Sequence, residues 1–520
     1  MHEIQAADLL IIGGGIMGAA VAQQVRTSKP EARIVIVDAG GKIGATPGQH
    51  LHDVTDPELR ARYVKQASPG IQSAYVGADV SHRIDNGTES IEPGLYTVSA
   101  LSGNTTAFPG AAVGMNQGGM GVHWTAACPW PWGDETFAGE DPDGWKEDLH
   151  TAQRLLGVHP NPYGTSMPGQ KILEKISGLV GKTCAASRQP QPMPMAITPD
   201  GDRLLRTGPN RIFPRMMEPA GEDFELLTET LALALVHDGD TVSGVRVKDI
   251  PTGTERIIQA AAVAVAADPL RTPQLLFASG IRPRALGRYL NEHAFLTGQI
   301  VADLDKLGLT LSDIPSHRAG EWVLNCYWLP HNGSKQPFHG QFMDRTFFDQ
   351  NGSPLAYGAV LGFFIPTDIS ASNRIDFSES RVDSTGLPEM AFTFDYSDVD
   401  KARIEKARRV QRALAESIGV VDLKSWESEL LPPGSSLHFT GTTRAGVADD
   451  GTSVCNPDGK VWGYSNLYLA GGSVVPTALV GNSTLTATIT AVKAARAITA
   501  SLSDQENARG KALALQGEPQ

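Results

Sequence analysis

Asp8-Leu9-Leu10-Ile11-Ile12-Gly13-Gly14-Gly15-Ile16-Met17-Gly18 is the stretch whose reading decides the fold. An apolar run, Leu9 to Ile12, stops at three glycines, and a helix-compatible stretch, Ala19 to Arg26, follows. Arg33 to Val37 is a second β-branched run, closed by Asp38. Strand, glycine turn, helix and strand in that order predict a right-handed βαβ unit. In Gly13-x-Gly15-x-x-Gly18 each glycine has a task. Gly13 permits the tight turn, Gly15 lets a pyrophosphate approach the backbone, and Gly18 lets helix and strand pack closely. The helix N-terminus offers free N–H groups and a partial positive charge to phosphates. Asp38 stands 20 residues after Gly18, placed to accept hydrogen bonds from a ribose. The unit predicts dinucleotide binding and does not by itself separate FAD from NAD.

Further along the chain, the same α/β texture returns in pieces. Ala261 to Ala267 reads as a buried parallel strand, and Pro273 to Ser279 as a helix ending at Gly280. Leu467 to Ala470 is a strand, Ser483 to Ser501 a long final helix, and the polar residues from Ser503 onward a frayed tail. Residues 224–250 alternate like one hairpin about Asp238-Gly239-Asp240. Residues 41–110 read as excursions and short strands over the cofactor, Asp143 to Leu156 and Val399 to Ser417 as helices. Between 300 and 400 strand-like runs (EWVLNCYWL, GAVLGFFI, NRIDFS, EMAFTFDY) predict an antiparallel sheet walling a substrate site. The two textures interleave, so the domains must be discontinuous.

Composition narrows the function. At about 150 residues each, 520 residues make roughly two to four domain-sized units. A net charge of −13 argues against a nucleic-acid or anionic-membrane surface, since both demand basic patches. Cys128, Cys184, Cys326 and Cys455 form no C-x-x-C pair and read as reduced thiols. No H-E-x-x-H, G-x-S-x-G or cysteine ligand cluster occurs, so no metal is expected, and His50 and His52 read as incidental loop residues. The N-terminus lacks a signal-peptide pattern and no window approaches about 18 consecutive apolar residues, which points to a cytoplasmic protein.

A second signal is Gly118-Gly119-Met120-Gly121-Val122-His123-Trp124-Thr125, followed by Ala126-Ala127-Cys128-Pro129. Set after the βαβ unit, it resembles the flavin-edge loop of pyranose oxidases in the glucose–methanol–choline (GMC) oxidoreductase superfamily. The resemblance continues through Ala267-Asp268, Arg271 to Leu276 and Leu286 to Leu290. It is densest near the C-terminus: His438, Gly441 to Arg444, Val461-Trp462-Gly463, Pro476-Thr477-Ala478 and Gly481 to Thr486. It implies FAD held by Gly13, Gly15, Gly18, Asp38, Gly119, His123, Thr125, Thr477 and Asn482. The family histidine is joined to the flavin 8α-methyl, which puts covalent attachment on His123. Gly121-Val122 stand where the fungal pattern has Ser-Thr.

From residue type alone, His438 is equally a strand-end structural histidine and Asn482 a helix N-cap. The resemblance makes them the base and the polar partner at the reacting hydroxyl. Histidine suits the task through its ordinary pKa of about 6.5. Phe338-His339-Gly340-Gln341-Phe342-Met343 resembles a sugar-lining strand of the pyranose 2-oxidases. Gln341 matches its sugar-binding glutamine, and Met343 stands where the family has a sugar-binding histidine. A thioether cannot donate to a hydroxyl. That departure points toward bacterial glycoside 3-oxidases and carbon 3. Arg345, Phe347, Phe348 and Tyr357 read either as a mobile substrate loop or as surface and packing residues.

The expected architecture is α/β: a Rossmann-like FAD-binding domain (1–130, 216–300, 445–502) interleaved with an α+β substrate-binding domain on an antiparallel sheet (131–215, 301–444), and a flexible tail, 503–520. The expected activity is transfer of hydride from a sugar or glycoside hydroxyl to flavin, with O2 as acceptor. A pyranose 2-oxidase, an FAD dehydrogenase using a quinone, and a flavin-binding protein without turnover are the alternatives. The oligomeric state is left open.

Overall fold

The computed structural model describes residues 6–67, 93–102, 105–419 and 428–516. Two interleaved sheets organise them. In the first, β1 (Ala7–Ile12) and β2 (Ile34–Val37) are built from Leu, Ile and Val and run parallel, with Leu10 opposite Val35. Helix α1 (Ile16–Ser28) joins them. Outside β2 lies β3 (Phe224–Leu227), also parallel. On the other side of β1 lies the long β6 (Glu255–Val265), with Leu10 opposite Val263, and then β13 (Leu467–Leu469). The order β3-β2-β1-β6-β13 is parallel throughout. Both of its faces are covered, so the strands are continuously apolar rather than alternating.

The first half of β6 leaves that layer and pairs antiparallel with β5 (Thr241–Asp249), which pairs with β4 (Thr230–Asp238). Residues 224–250 are therefore not one hairpin. Glu229 takes φ +50° between β3 and β4, a left-handed turn that sends the chain from the parallel sheet into the meander.

Helix α4 (Asp268–Ala278) begins five residues earlier than the expected start at Pro273. Asp268, at φ +67°, turns its carboxylate onto the N–H groups of Leu270 and Arg271 and starts the helix. Pro273 cannot donate to the Pro269 carbonyl one turn back. The Thr442 hydroxyl donates to that oxygen instead, which makes a proline tolerable inside the helix.

The second sheet contains β7 (Ala294–Val301), β8 (Asn325–Leu329), β9 (His339–Phe348) and β10 (Pro354–Ile365). Their order is β7-β10-β9-β8, antiparallel, extended by the short strands Glu429–Leu430 and Gln191–Pro192. One face, with Phe342, Leu361 and Phe363, packs on α3 (Met167–Val180) and α5 (Asp398–Ile418). The other carries His339, Gln341 and Met343 by the two-residue alternation of a strand. Because β7 belongs here, this sheet takes in residues 294–300, which the expected division at residue 300 gave to the FAD-binding domain.

The runs NRIDFS and EMAFTFDY do not join the wall. They form a separate ribbon, β11 (Arg374–Val382) and β12 (Pro388–Thr393). The ribbon is tied to α4: Arg271 donates to Asp383 at 2.7 Å, and Gln274 to Asp383 at 2.9 Å and to the Pro388 carbonyl at 2.7 Å. The expected helix 143–156 is α2 (Pro142–Leu156), capped by the Asp141 carboxylate. The last helix, α6 (Thr484–Gln516), has 33 residues and passes through the segment expected to fray from Ser503. Its buried Ala491, Ala494 and Ala495 share a core with Ala19 and Ala22 of α1, where small side chains let two helices approach closely. Of the expected excursions between 41 and 110, residues 68–92 and 103–104 lie outside the described residues. No helix among the described residues is long and apolar enough to cross a membrane.

Candidate active site

The glycine fingerprint forms the floor of a long cleft. Gly13 has φ +105°, and a Cβ there would come within 2.4 Å of the Ala266 carbonyl oxygen. A Cβ on Gly18 would sit 1.9 Å from the Gly13 oxygen. These two glycines are demanded by packing. At Gly15 the nearest atom to a Cβ is the Gly118 oxygen at 3.5 Å, so its bareness serves the open side. Among the described residues no side chain caps α1, which leaves its N-terminus open toward the cleft. The cleft wall runs from Gly14, Asp38 and Thr230 to Gly119, Trp124 and Thr484. A glycine cradle, an uncapped helix start and this length fit a dinucleotide cofactor.

Asp38 is bound tightly by the chain itself. Its Oδ2 accepts from Gly14 N at 3.1 Å and Gly118 N at 3.2 Å, and its Oδ1 from Gly40 N at 2.8 Å. It thereby clamps the fingerprint turn to the 118–125 loop. Within that loop, Asn116 Nδ2 donates to the carbonyls of Gln117 and Gly119, turning Oδ1 to His123 Nε2 at 2.8 Å. Burial lowers the His123 pKa to about 3, so the ring is neutral. With an acceptor before it, Nε2 carries the hydrogen and Nδ1 keeps the lone pair. His123, Thr125 and Thr477 are not among the residues lining the cleft; Thr125 is exposed, and Thr477 Oγ donates to the Glu135 carbonyl at 3.1 Å. His50 is not incidental. Its ring, 4% exposed, bonds the Trp124 carbonyl at 2.8 Å and braces the loop.

His438 and Asn482, whose neighbours Leu437, Phe439 and Ser483 line the cleft, come together: Asn482 Nδ2 lies 3.3 Å from His438 Nε2. The amide faces the ring, and its Oδ1 is buried with no partner among the described residues, so Asn482 does not cap α6. Burial holds His438 well below the usual histidine range and leaves it neutral. Leu437, just before it, takes φ +59°, a strained backbone for a γ-branched residue. Ser436 Oγ accepts from His438 N at 3.2 Å, and Glu292 accepts from Ser436 N at 2.9 Å. Burial pushes Glu292 up to about 8, so it supports this strained turn as a neutral acid at pH 7.

The sheet face of β9 closes over this pair. Phe364 of β10 touches three imidazoles, with ring centres 5.1 Å from His438, 5.7 Å from His293 and 5.5 Å from His339. Gln341 Nε2 points at two sulfurs, Cys326 at 3.5 Å and Met343 at 3.7 Å. Sulfur is a weak acceptor, so a sugar hydroxyl would displace it readily. Arg345, Phe347, Phe348 and Tyr357 form no loop. They belong to β9 and β10, and the Tyr357 hydroxyl donates to Asp344 at 2.5 Å in the core.

Two site residues escape a reading by motif. His293 approaches His438, Nδ1 to Nδ1, at 3.1 Å. Glu135, 4% exposed, accepts from Val480 N at 2.7 Å, Gly481 N at 3.4 Å and His331 Nε2 at 2.7 Å. It anchors the loop that delivers Asn482. The only signal in sequence was a charged or titratable residue in apolar company, Asn291-Glu292-His293 before a strand and Glu135 after a Trp/Pro turn.

The family model for GMC oxidoreductase matches residues 370–491, the segment carrying His438 and Asn482. A C-glycoside 3-oxidase of Microbacterium trichothecenolyticum is 34% identical over 94% of this chain and 96% of its own. A pyranose 2-oxidase of Tricholoma matsutake is 25% identical over 95% and 94%. Among solved structures, a formate oxidase of Aspergillus oryzae superposes with a TM-score of 0.66 at 15% identity, covering 96% of this chain and 100% of its own; it shares the fold. With identity at that level along nearly the whole length, and with a cleft that fits the cofactor, this chain belongs to the GMC oxidoreductase family, FAD-dependent enzymes acting on CH–OH groups.

Proposed function

We propose that this chain is a glycoside oxidase that oxidises carbon 3 of a glucopyranosyl unit and passes the electrons to O2, giving H2O2. The observation that carries it is the His438–Asn482 pair, 3.3 Å apart beneath the β9 face. The names of the relatives, C-glycoside 3-oxidase and pyranose 2-oxidase, support a sugar substrate. FAD, when bound, supplies the acceptor for the hydride.

The protein's share is proton handling and orientation. The substrate O–H bond breaks as His438 Nε2 takes the proton, the carbinol C–H pair leaves as hydride, and a C=O forms. Asn482 N–H stabilises the negative charge that develops on the oxygen. Gly13, Gly15, Gly18, Asp38 and Gly119 hold the cofactor in this reading. His123 would be the point of covalent attachment in this reading. Asn482 would meet flavin and substrate in this reading, while Thr125, exposed, and Thr477, bonded to the Glu135 carbonyl, are assigned no contact with the cofactor.

Gln341 supplies a donor to the sugar ring, and Met343, two residues along the same face, supplies none. A buried sugar hydroxyl left unpaired costs about 1–3 kcal/mol. That is enough to turn the ring until a neighbouring carbon faces the hydride acceptor. NMR of the keto product from glucose and from several glucosides tests this. A 3-keto glycoside is expected; 2-keto glucose with no turnover of any glucoside would overturn the assignment.

A further inference from the structure

The imidazole beside His438 has a role that follows from hydrogen-bond arithmetic. His293 Nε2 lies 2.8 Å from the Leu479 carbonyl oxygen, an acceptor only, so Nε2 carries a hydrogen. Burial lowers the His293 pKa to about 4, so the ring is neutral at pH 7 and its Nδ1 holds a lone pair. Facing it at 3.1 Å is His438 Nδ1. Two ring nitrogens at that distance need one hydrogen between them, and His438 must provide it. Neutral His438 then has a bare Nε2, the nitrogen that the Asn482 amide approaches at 3.3 Å. The chain of donors runs in one direction, from Asn482 and His438 through His293 to a backbone carbonyl.

We propose that His293 is a positioning residue for the oxidation: it holds His438 in the tautomer with an unprotonated Nε2 and accepts the Nδ1–H of the imidazolium formed when the hydroxyl proton arrives. The proposal rests on His438 being the base. The bond from His438 to His293 becomes charge-assisted as the proton transfers, and such bonds are roughly twice as strong as neutral ones. The stabilisation therefore grows along the reaction, which is what raises a rate rather than an affinity. The anchor is stiff, because Leu479 belongs to the loop whose next two N–H groups end on the Glu135 carboxylate. Phe364 packs against both imidazoles and keeps them edge to face, with ring planes at 79°.

The tautomer is directly measurable. In the flavin-loaded full chain with ¹⁵N-labelled histidine, the His438 signal, assigned by its loss in His438→Gln, is expected to show a protonated Nδ1 and a bare Nε2. His293→Phe keeps the ring volume and removes both nitrogens. It is expected to slow anaerobic flavin reduction about 10–100-fold, a part of what a general base contributes, with little change in KM. His293→Gln keeps an acceptor and a donor and is expected to recover most of that rate. A wild-type His438 protonated on Nε2 would overturn the proposal. So would a Phe variant with unchanged rate, or equal losses in the Phe and Gln variants. If His438→Ala reduces flavin at the wild-type rate, the base reading falls and this one with it. An Nε2-protonated His438 in an enzyme that His438→Ala silences removes this proposal alone.

Discussion

A histidine in water titrates near pH 6.5; His438 does not, because burial penalises its charged form and holds it well below that value. A base must be unprotonated to act, so lowering its pKa extends activity toward acid. The acid limb of kcat/KM is therefore expected to lie below pH 6.5, read from the pH dependence of anaerobic flavin reduction; a limb at or above pH 6.5 contradicts this environment. His438→Ala is expected to slow reduction at least about 10²-fold, the usual scale for a lost general base, with normal FAD content. Wild-type reduction in that variant would move the proton transfer elsewhere. At this scale the two residues named from motifs meet as expected, because both flank strongly patterned segments. His293 and Glu135 stand in no motif, and each acts through a partner 145 or more residues away.

Between strand β13 and helix α6, the loop ending at Asn482 is held by one carboxylate. Burial alone would raise the Glu135 pKa, but His331 and the N–H groups of Val480 and Trp132 outweigh it and hold the carboxyl below its usual value of 4.5. A depressed folded-state pKa stabilises the fold above the unfolded value, and that stabilisation is lost as pH falls below 4.5 toward the folded pKa. Glu135→Gln keeps the shape and loses the charge. It is expected to destabilise by about 1–3 kcal/mol, the scale of buried hydrogen bonds losing their charged acceptor, and to slow flavin reduction because Asn482 is no longer held. Thermal melts from pH 3 to 8 check it: the gap between wild type and variant should narrow toward pH 3, and a gap that widens there would refute the account. Element boundaries show the same dependence on distant partners. Pro273 looked like a helix start, and the Thr442 hydroxyl that rescues the broken hydrogen bond comes from 169 residues downstream.

The cofactor cleft is assembled from segments near residues 13, 38, 119, 230, 266 and 484, so no contiguous piece of chain contains it. A ligand that binds only the folded state stabilises it by RT ln(1 + [L]/Kd), about 2.7 kcal/mol at 100 times Kd. The purified protein is expected to be yellow, and protein produced without FAD to melt several degrees lower. Acid precipitation separates the two modes of attachment. With flavin joined to His123, colour stays in the pellet and His123→Ala releases it; colour in the wild-type supernatant refutes the bond.

Short-range physics made much of this legible in the sequence alone. The βαβ unit, the turn glycines and the long last helix depend on backbone sterics and on side chains a few residues apart. Those rules hold wherever the chain lies in space. Only the tertiary structure decided which strands share a sheet, as when β11 and β12 left the wall to pair with each other under the hold of Arg271 and Asp383. It also decided that Asp38 clamps two loops and that Gln341 faces sulfur. The proton on His438 is the sharpest case. A tautomer is set by the acceptor 3 Å away, and that acceptor is brought there by the fold, through contacts between residues far apart in the chain.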